Sequence, residues 1–423
     1  MPGASQHAEP AGRRVELADI FACYGREYLS RRYVEPRHRR VMRRIVACRT
    51  AALGGHRQWC VHCGYERFVY HSCRDRHCPK CQTQANQAWR EARASELLPV
   101  PYFHQVFTLP HELNAWVLAS EANQRALLAL LFEAVSATLS EFGRCELRGQ
   151  VGFTLVLHTW DQQLRPHFHV HCLIAAGALA GDASEPERWR WVAGGRQFLF
   201  PVRALSKSFR GKFLAGLERL LAKKQLDLPE GFVDNEIRRR QLLRTLARKP
   251  WVVYSKAPFA GPAKLLDYLS RYTHRVAISN HRLLDCAGGN VTFRYRDRAD
   301  GDRRKQATIP ADEFIRRFLT HVLPDRFMRI RHYGFLANRH KAAKLAQIRQ
   351  LLGVNAPQPL PPTPTAEQWL RDVLGIDMTE CPCCGRRLLQ TPLSPLPDAN
   401  ALLPSSPTLA RHAPRGPPQG PTS

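Results

Sequence analysis

An alternating run of histidines and apolar residues near the middle of the chain most constrains its fold. The run reads His167-Phe-His-Val-His-Cys-Leu-Ile174. Successive side chains of a strand point to opposite faces, so His167, His169 and His171 would share one face and the apolar residues the other. The apolar face predicts a core, and three neutral imidazoles on the other face can hold a divalent cation. The alternative is an exposed, histidine-rich strand that binds no metal.

The charge of the chain indicates its kind of partner. Its 423 residues include 63 Lys and Arg against 36 Asp and Glu, a formal net charge of +27. Such an excess favours a polyanion, either nucleic acid or an anionic membrane surface. We expect no membrane association, because there is no apolar run of about 18 residues and no amphipathic anchor with a matching apolar face. The first 14 residues lack the apolar segment of a secretory signal, which predicts a cytoplasmic protein.

The cysteine spacing predicts structural zinc. Thirteen cysteines, several in Cys-x-x-Cys pairs, favour metal binding over disulfides in an unsecreted chain. The pairs Cys60-Val-His-Cys63 and Cys78-Pro-Lys-Cys81 together predict one tetrahedral zinc-ribbon site of four thiolates. Further candidate ligands lie nearby and leave three alternatives open: a second zinc site, a replacement ligand for the first, or side chains without a metal. These candidates are Cys48, His56, Cys73 and His77.

A third cysteine motif lies close to the end of the chain. Cys381-Pro-Cys-Cys384 resembles a single zinc knuckle, which has half of the ligands that zinc needs. It follows a proline-rich stretch at 357–364 that predicts a linker, and residues from 389 onward have the composition of a disordered tail. The predicted organisation is a disordered tail (1–15), a helical and zinc-ribbon-like DNA-binding domain (16–99), a catalytic domain with a basic C-terminal part (100–345) and a Pro-rich tail with one cysteine knuckle (353–423).

The pattern of apolar residues predicts an α+β fold. Strands are expected at 102–109, 151–160 and 167–176, with a long helix at 111–142, and this order favours an antiparallel sheet covered by helices. Residues 177–195 are expected to form a loop. Arginine-rich stretches at 31–44 and 326–345 predict contacts with DNA phosphates.

Two tyrosines provide candidate nucleophiles. Tyr268 and Tyr272 stand at i and i+4 in a predicted helix, so their hydroxyls would share one face. A tyrosine attacks phosphorus poorly unless it is deprotonated or a metal polarises its target, and a cation on the histidine strand could do the latter. The alternative is an aromatic stripe packed into a core. The neighbouring Lys264, Arg271 and Arg275 favour the nucleophiles.

These motifs resemble those of a known family. His169-Val-His171 resembles the HUH motif, and Tyr268-x-x-x-Tyr272 resembles the paired tyrosines of two-tyrosine HUH nucleases. From about residue 18 to about 352, the chain resembles rolling-circle transposases of the insertion-sequence ninety-one family, which join a cysteine-rich zinc-binding domain to an HUH core. Longer strings carry the likeness, among them Cys48-Arg-Thr-Ala-Ala-Leu-Gly-Gly-His56, Phe107-Thr-Leu-Pro110 and Arg331-His-Tyr-Gly-Phe335.

The resemblance implies a metal-dependent nuclease that cuts single-stranded DNA at element ends and target. His169 and His171 would hold Mg²⁺ or Mn²⁺. Gln162 is one candidate third ligand, and Gln163, His158 and His167 stay open. One of the two tyrosines would form a 5′-phosphotyrosine, and zinc would be structural in the N-terminal domain. One departure is Phe168, where a proline would be expected before His169.

Two other functions share some of these features. One is an HUH initiator of replication or mobilisation, which the zinc module and the long match disfavour. The other is a non-catalytic zinc-dependent DNA-binding protein, which the paired tyrosines disfavour. The family resemblance also implies a bacterial, nucleoid-associated protein, with host replication proteins as further candidate partners.

Overall fold

The computed structural model describes residues 14–81, 93–182, 185–195, 197–256, 277–297, 299–355 and 377–396, with a few isolated positions between 368 and 375. The predicted helix with Tyr268 and Tyr272 lies outside the described residues, and so does the predicted linker at 357–364.

The described residues form eight α-helices and twelve strands. The helices are α1 (Leu17–Arg31), α2 (Pro36–Ala47), α3 (Asn114–Leu118), α4 (Glu121–Glu146), α5 (Val202–Ala222), α6 (Glu236–Arg248), α7 (Ala311–Thr320) and α8 (Lys341–Leu351). The strands are β1 (Gly55–Trp59), β2 (Glu66–Tyr70), β3 (Tyr102–Thr108), β4 (Gln150–Trp160), β5 (Pro166–Asp182), β6 (Glu185–Ala193), β7 (Val253–Lys256), β8 (Leu283–Asp285), β9 (Asn290–Asp297), β10 (Arg303–Pro310), β11 (Ile330–Gly334) and β12 (Leu389–Leu393).

A six-stranded antiparallel sheet forms the centre of the fold. Its order is β11-β4-β5-β3-β7, and β6 pairs with β5. The register sets His158 of β4 opposite His169 of β5, and Val106 of β3 opposite His171. The predicted α+β fold with an antiparallel sheet is therefore confirmed.

Two helices cover the apolar face of this sheet. Phe107, Phe168 and Val170 lie in one buried cluster with residues of α4 and α5. Helix α4 is long and apolar enough to cross a membrane by length and composition, with a mean hydropathy of 1.5. More than half of that apolar window is buried within the protein, so its composition suits a core helix and is weak evidence for a membrane span.

The loop predicted at 177–195 is wrong, because β5 continues to Asp182 and pairs with β6. The glycines that suggest a loop instead make room for tryptophans. A Cβ atom added to Gly177 would lie 2.2 Å from the ring of Trp191, and one added to Gly181 would lie 2.7 Å from the ring of Trp189. Glycine in a strand often marks such a close approach.

The N-terminal helices share a core with the segment that follows residue 277. The rings of Phe21 in α1 and Phe318 in α7 pack edge to face, 5.4 Å apart. The Tyr24 hydroxyl donates to the carbonyl of Cys286 at 2.7 Å, and the Leu17 amide donates to the Asn280 side chain. Sheet β10-β9-β8 and α7 therefore pack directly on α1 and α2.

The end of the described chain returns to the N-terminal module. Strand β12 pairs antiparallel with β1, from Gly55 opposite Leu393 to Trp59 opposite Leu389, in a sheet ordered β12-β1-β2. The disorder predicted from residue 389 onward is therefore wrong for this strand. Its composition alone does not favour a strand, but the edge of β1 that does not pair with β2 offers hydrogen-bond partners for its backbone N–H and C=O groups.

Candidate functional site

Three histidines from two neighbouring strands converge on the sheet face opposite α4 and α5. His158 lies on β4, and His169 and His171 lie on β5, with one ligand nitrogen of each within 4.8 Å of the others. The Nε2 atoms of His169 and His171 are 3.2 Å apart, and the rings of His158 and His171 are 4.4 Å apart. All three side chains are buried. Three converging imidazoles are a donor set suited to a divalent metal ion.

Hydrogen bonds orient two of these rings. The Nδ1 atom of His169 lies 2.8 Å from the carbonyl oxygen of His167, so Nδ1–H donates there and Nε2 keeps its lone pair. The Nδ1 atom of His171 lies 2.9 Å from Nε2 of His104 on β3. Burial, and then the charge of Lys256, lowers the pKa of His104 to about 4, so His104 is neutral and can accept this bond.

The structure settles which residues stand together on the histidine face. His158 joins His169 and His171 in the cluster of ligand nitrogens. The expected third histidine, His167, is exposed and lies outside that cluster, with its ring 4.7 Å from that of His169. Gln162 lies in the turn after β4, where its carbonyl oxygen accepts a hydrogen bond from Arg282. That turn is held by Asp161, whose carboxylate accepts from the amides of Gln163 and Arg165. Sequence reasoning missed His104, although it is a lone histidine in an otherwise apolar and aromatic strand.

Four cysteines form a cluster beside the N-terminal helices. Cys48, Cys73, Cys78 and Cys81 offer sulfur atoms that all lie within 4.8 Å of one another. The Sγ atom of Cys81 is 3.6 Å from that of Cys48 and 3.5 Å from that of Cys73. A zinc ion with Zn–S bonds of about 2.3 Å places its sulfurs about 3.8 Å apart, so the cluster fits tetrahedral zinc.

A second cysteine cluster joins the two ends of the described chain. It consists of Cys60, Cys63, Cys381 and Cys384. The Sγ atoms of Cys60 and Cys384 are 3.5 Å apart, and those of Cys63 and Cys381 are 3.4 Å apart.

The single site predicted from Cys60, Cys63, Cys78 and Cys81 is therefore wrong in its grouping, because the two pairs belong to different clusters. Neither nearby histidine belongs to either cluster. His77 pairs with Asp75 at 2.9 Å, and burial lowers the pKa of His77. His56 lies 3.2 Å from the side-chain nitrogen of Gln390.

Some arginines expected to contact DNA have partners inside the protein. Arg37 is buried and pairs with Glu35 and Glu121. Burial lowers the pKa of Arg329 to about 10. The guanidinium of Arg331 lies over the ring of Phe132 at 4.2 Å. These arginines have partners within the fold, so not every arginine of the two basic stretches is available for the predicted contacts with DNA.

Two known protein families match two separate regions of the chain. Residues 20–109 match the family described as "Transposase zinc-binding domain", and residues 152–344 match the family described as "Putative transposase". A protein of Sinorhizobium fredii, titled "Putative transposase y4qJ", is 44% identical over 376 residues, which is 87% of this chain and 92% of the relative. The chain belongs to the insertion-sequence ninety-one family of transposases.

A more distant relative supports the same assignment. The transposase for insertion sequence element IS801 of Pseudomonas savastanoi is 27% identical over 360 residues, covering 82% of each chain. No solved structure matches this transposase significantly.

The matched regions contain most of the candidate ligands. The zinc-binding domain contains the whole Cys48 cluster, so structural zinc in the N-terminal part of the transposase is supported by both domain and geometry. The second matched region contains the three clustered histidines and both candidate tyrosines. Cys381 and Cys384 lie outside both regions.

Proposed function

We propose that this transposase cleaves and rejoins single-stranded DNA at the ends of its element, in a rolling-circle reaction that passes through 5′-phosphotyrosine intermediates. The observation that carries the proposal is the convergence of His158, His169 and His171 on one sheet face, inside the region that matches a transposase family. A non-catalytic DNA-binding protein has no need of three converging imidazoles on this face, two of them oriented by hydrogen bonds.

The histidine cluster fits a divalent cation. Its ligand nitrogens are close together. With the proton of His169 on Nδ1, toward the His167 carbonyl, and that of His171 on Nδ1, toward His104, the two Nε2 atoms, 3.2 Å apart, both present lone pairs that could bind a metal. Nitrogen donors suit Mn²⁺ better than the harder Mg²⁺, so Mn²⁺ is the better candidate. A bound cation would polarise the scissile phosphate and offset charge on its non-bridging oxygens.

The nucleophile is Tyr268 or Tyr272, an assignment that rests on the sequence because both lie outside the described residues. The phenolic oxygen attacks phosphorus, forms the new oxygen–phosphorus bond and loses its proton. The bond from phosphorus to the 3′ oxygen breaks, and that oxygen takes up a proton to give a free 3′-hydroxyl. One phosphodiester is exchanged for another, so no external energy source is needed. Strand transfer is the reverse attack by a 3′-hydroxyl, which frees the tyrosine.

A second tyrosine allows two strands to be handled in turn. While the first tyrosine holds one 5′ end, the other can cleave the next strand. We assign Cys48, Cys73, Cys78 and Cys81 to the structural zinc of the N-terminal domain, which α1 and α2 place against the rest of the protein. In this assignment the domain positions DNA and takes no part in the chemical step.

The test is a denaturing-gel assay with end-labelled single-stranded DNA from the end of the element. Purified transposase is incubated with Mn²⁺, with Mg²⁺ or with EDTA. We expect a protease-sensitive protein–DNA adduct that needs the divalent ion, and mass spectrometry of the adduct should identify the tyrosine. A duplex of the same sequence is the matched control. Tight DNA binding without an adduct under any metal condition would contradict the proposed chemistry.

A further inference from the structure

We propose that the two ends of the chain together build a second structural zinc site, a zinc ribbon split between distant parts of the sequence. Cys60 and Cys63 supply two thiolates from the N-terminal module, and Cys381 and Cys384 supply two from the C-terminal segment. This site is separate from the cluster of Cys48 and from the histidines, and it does not depend on the proposed DNA cleavage.

The sulfur positions fit zinc better than disulfides. Across the cluster, the sulfur of Cys60 lies 3.5 Å from that of Cys384, and the sulfur of Cys63 lies 3.4 Å from that of Cys381. A disulfide needs about 2.05 Å between sulfurs, whereas tetrahedral zinc with bonds of about 2.3 Å spaces them about 3.8 Å apart. Four thiols from the two knuckles thus already surround one point.

The backbones of the two knuckles are folded alike. The amide of Gly64 donates to the carbonyl of Cys60 at 3.0 Å, and the amide of Gly385 donates to the carbonyl of Cys381 at 2.9 Å. Gly64 and Gly385 have φ angles of 71° and 70°, in the left-handed region that favours glycine.

A second backbone hydrogen bond is also common to the two knuckles. The amide of Cys60 donates to the carbonyl of Tyr65 at 2.8 Å, and the amide of Cys381 donates to the carbonyl of Arg386 at 2.7 Å. Two knuckles of the same form therefore face each other across the four sulfurs, which is how the halves of a zinc ribbon supply their paired thiolates.

The surrounding contacts hold the C-terminal segment in place but bury few apolar side chains. Strand β12 pairs with β1, the side chain of Gln58 donates to that of Gln390 at 2.8 Å, and Arg67 donates to the carbonyl of Met378. The buried cluster at this junction contains only Cys60, Cys381 and Leu388 among the described residues. So small a core supplies little free energy, and metal binding by the thiolates would provide what the apolar contacts do not.

The C-terminal knuckle contains a third cysteine that can serve as a control. Cys383 lies between the two proposed C-terminal ligands, is exposed and does not belong to the four-sulfur cluster. Replacing it changes one thiol of the same turn without removing a proposed ligand.

The experiment is to measure zinc per chain on the purified full-length protein by inductively coupled plasma mass spectrometry. We expect two zinc ions in the unaltered protein and in Cys383→Ser, and one in the double variant Cys381→Ser with Cys384→Ser. Two ions retained in the double variant would overturn the proposal. One ion in the unaltered protein, with a Cys63–Cys381 or Cys60–Cys384 disulfide in non-reducing peptide mapping, would also overturn it.

Hydrogen exchange distinguishes a lost metal site from a misfolded protein. In the double variant, amides of β1 and β12 should lose protection, while those of β3 in the central sheet keep theirs. The single variant Cys384→His keeps Cys381 and places another zinc ligand at 384, so it should bind at least part of the second zinc ion that the double variant loses. Unchanged protection of β1 and β12 in the double variant, with zinc removed, would show that the metal does not hold this segment and would contradict its structural role.

Discussion

The Nδ1 atom of His171 lies 2.9 Å from the Nε2 atom of His104, which stands on the neighbouring strand β3. With His104 as the acceptor, the proton of His171 lies on Nδ1 and its lone pair lies on Nε2, toward His169. His104 thus acts on the candidate metal centre through another residue.

Replacing His104 should weaken metal binding more than it weakens folding. In His104→Phe the Nδ1–H of His171 loses its acceptor, so we expect the Mn²⁺ concentration for half-maximal adduct formation to rise about 10- to 100-fold. His104→Gln, whose amide oxygen can accept the bond, should show a smaller rise. Equal metal dependence in His104→Phe and the unaltered protein would contradict the positioning role.

The third ligand can be tested with a matched pair of histidine variants. His158→Ala should abolish the metal-dependent adduct, because it removes one of the three clustered nitrogens. His167→Ala should retain most activity, since its side chain is exposed and its backbone carbonyl, which His169 uses, is unchanged. Both variants should still bind single-stranded DNA, because phosphate contacts do not need the metal. If His167→Ala abolished the adduct and His158→Ala retained it, the third metal ligand would be His167 and not His158.

The tyrosine assignment has its own test. Tyr268→Phe combined with Tyr272→Phe should eliminate the covalent adduct at every metal concentration, because no phenolic oxygen is left to attack. Each single variant should still form an adduct through the remaining tyrosine, in amounts that show which one acts first. Covalent attachment that survives in the double variant would point to another nucleophile.

Arg76 should stabilise the junction between the loop that contains Cys73, Cys78 and Cys81 and the segment at 324–327. Its guanidinium donates to the carbonyl of Phe327 at 2.9 Å and to that of Pro324 at 3.2 Å. Arg76→Ala leaves these carbonyls without that donor, so we expect a loss of about 1–3 kcal/mol in the free energy of unfolding. The neighbouring Arg74 is exposed, and Arg74→Ala should change stability by less than about 0.5 kcal/mol. Denaturant titration of both variants measures the difference, and equal losses would mean that the junction does not depend on Arg76.

Local pattern predicted much of the central sheet. The alternation of apolar residues with His167, His169 and His171 identified β5, because period-two patterning depends only on strand geometry. The same reasoning failed at 177–195, where glycines accommodate Trp189 and Trp191 instead of forming a loop. Sequence spacing alone does not distinguish a glycine that turns the chain from one that makes room for a ring.

The sequence by itself determined the ligand types, the family and the antiparallel α+β fold, because residue chemistry and strand periodicity are local properties. Tertiary structure decided which ligands meet. His158 joins His169 only through the register of β4 with β5, and Cys381 reaches Cys63 only because β12 pairs with β1. These contacts join residues far apart in the chain, and a knuckle has the same spacing whichever partner it finds. The grouping of the cysteines therefore depends on strand pairing, which the cysteine spacing does not encode.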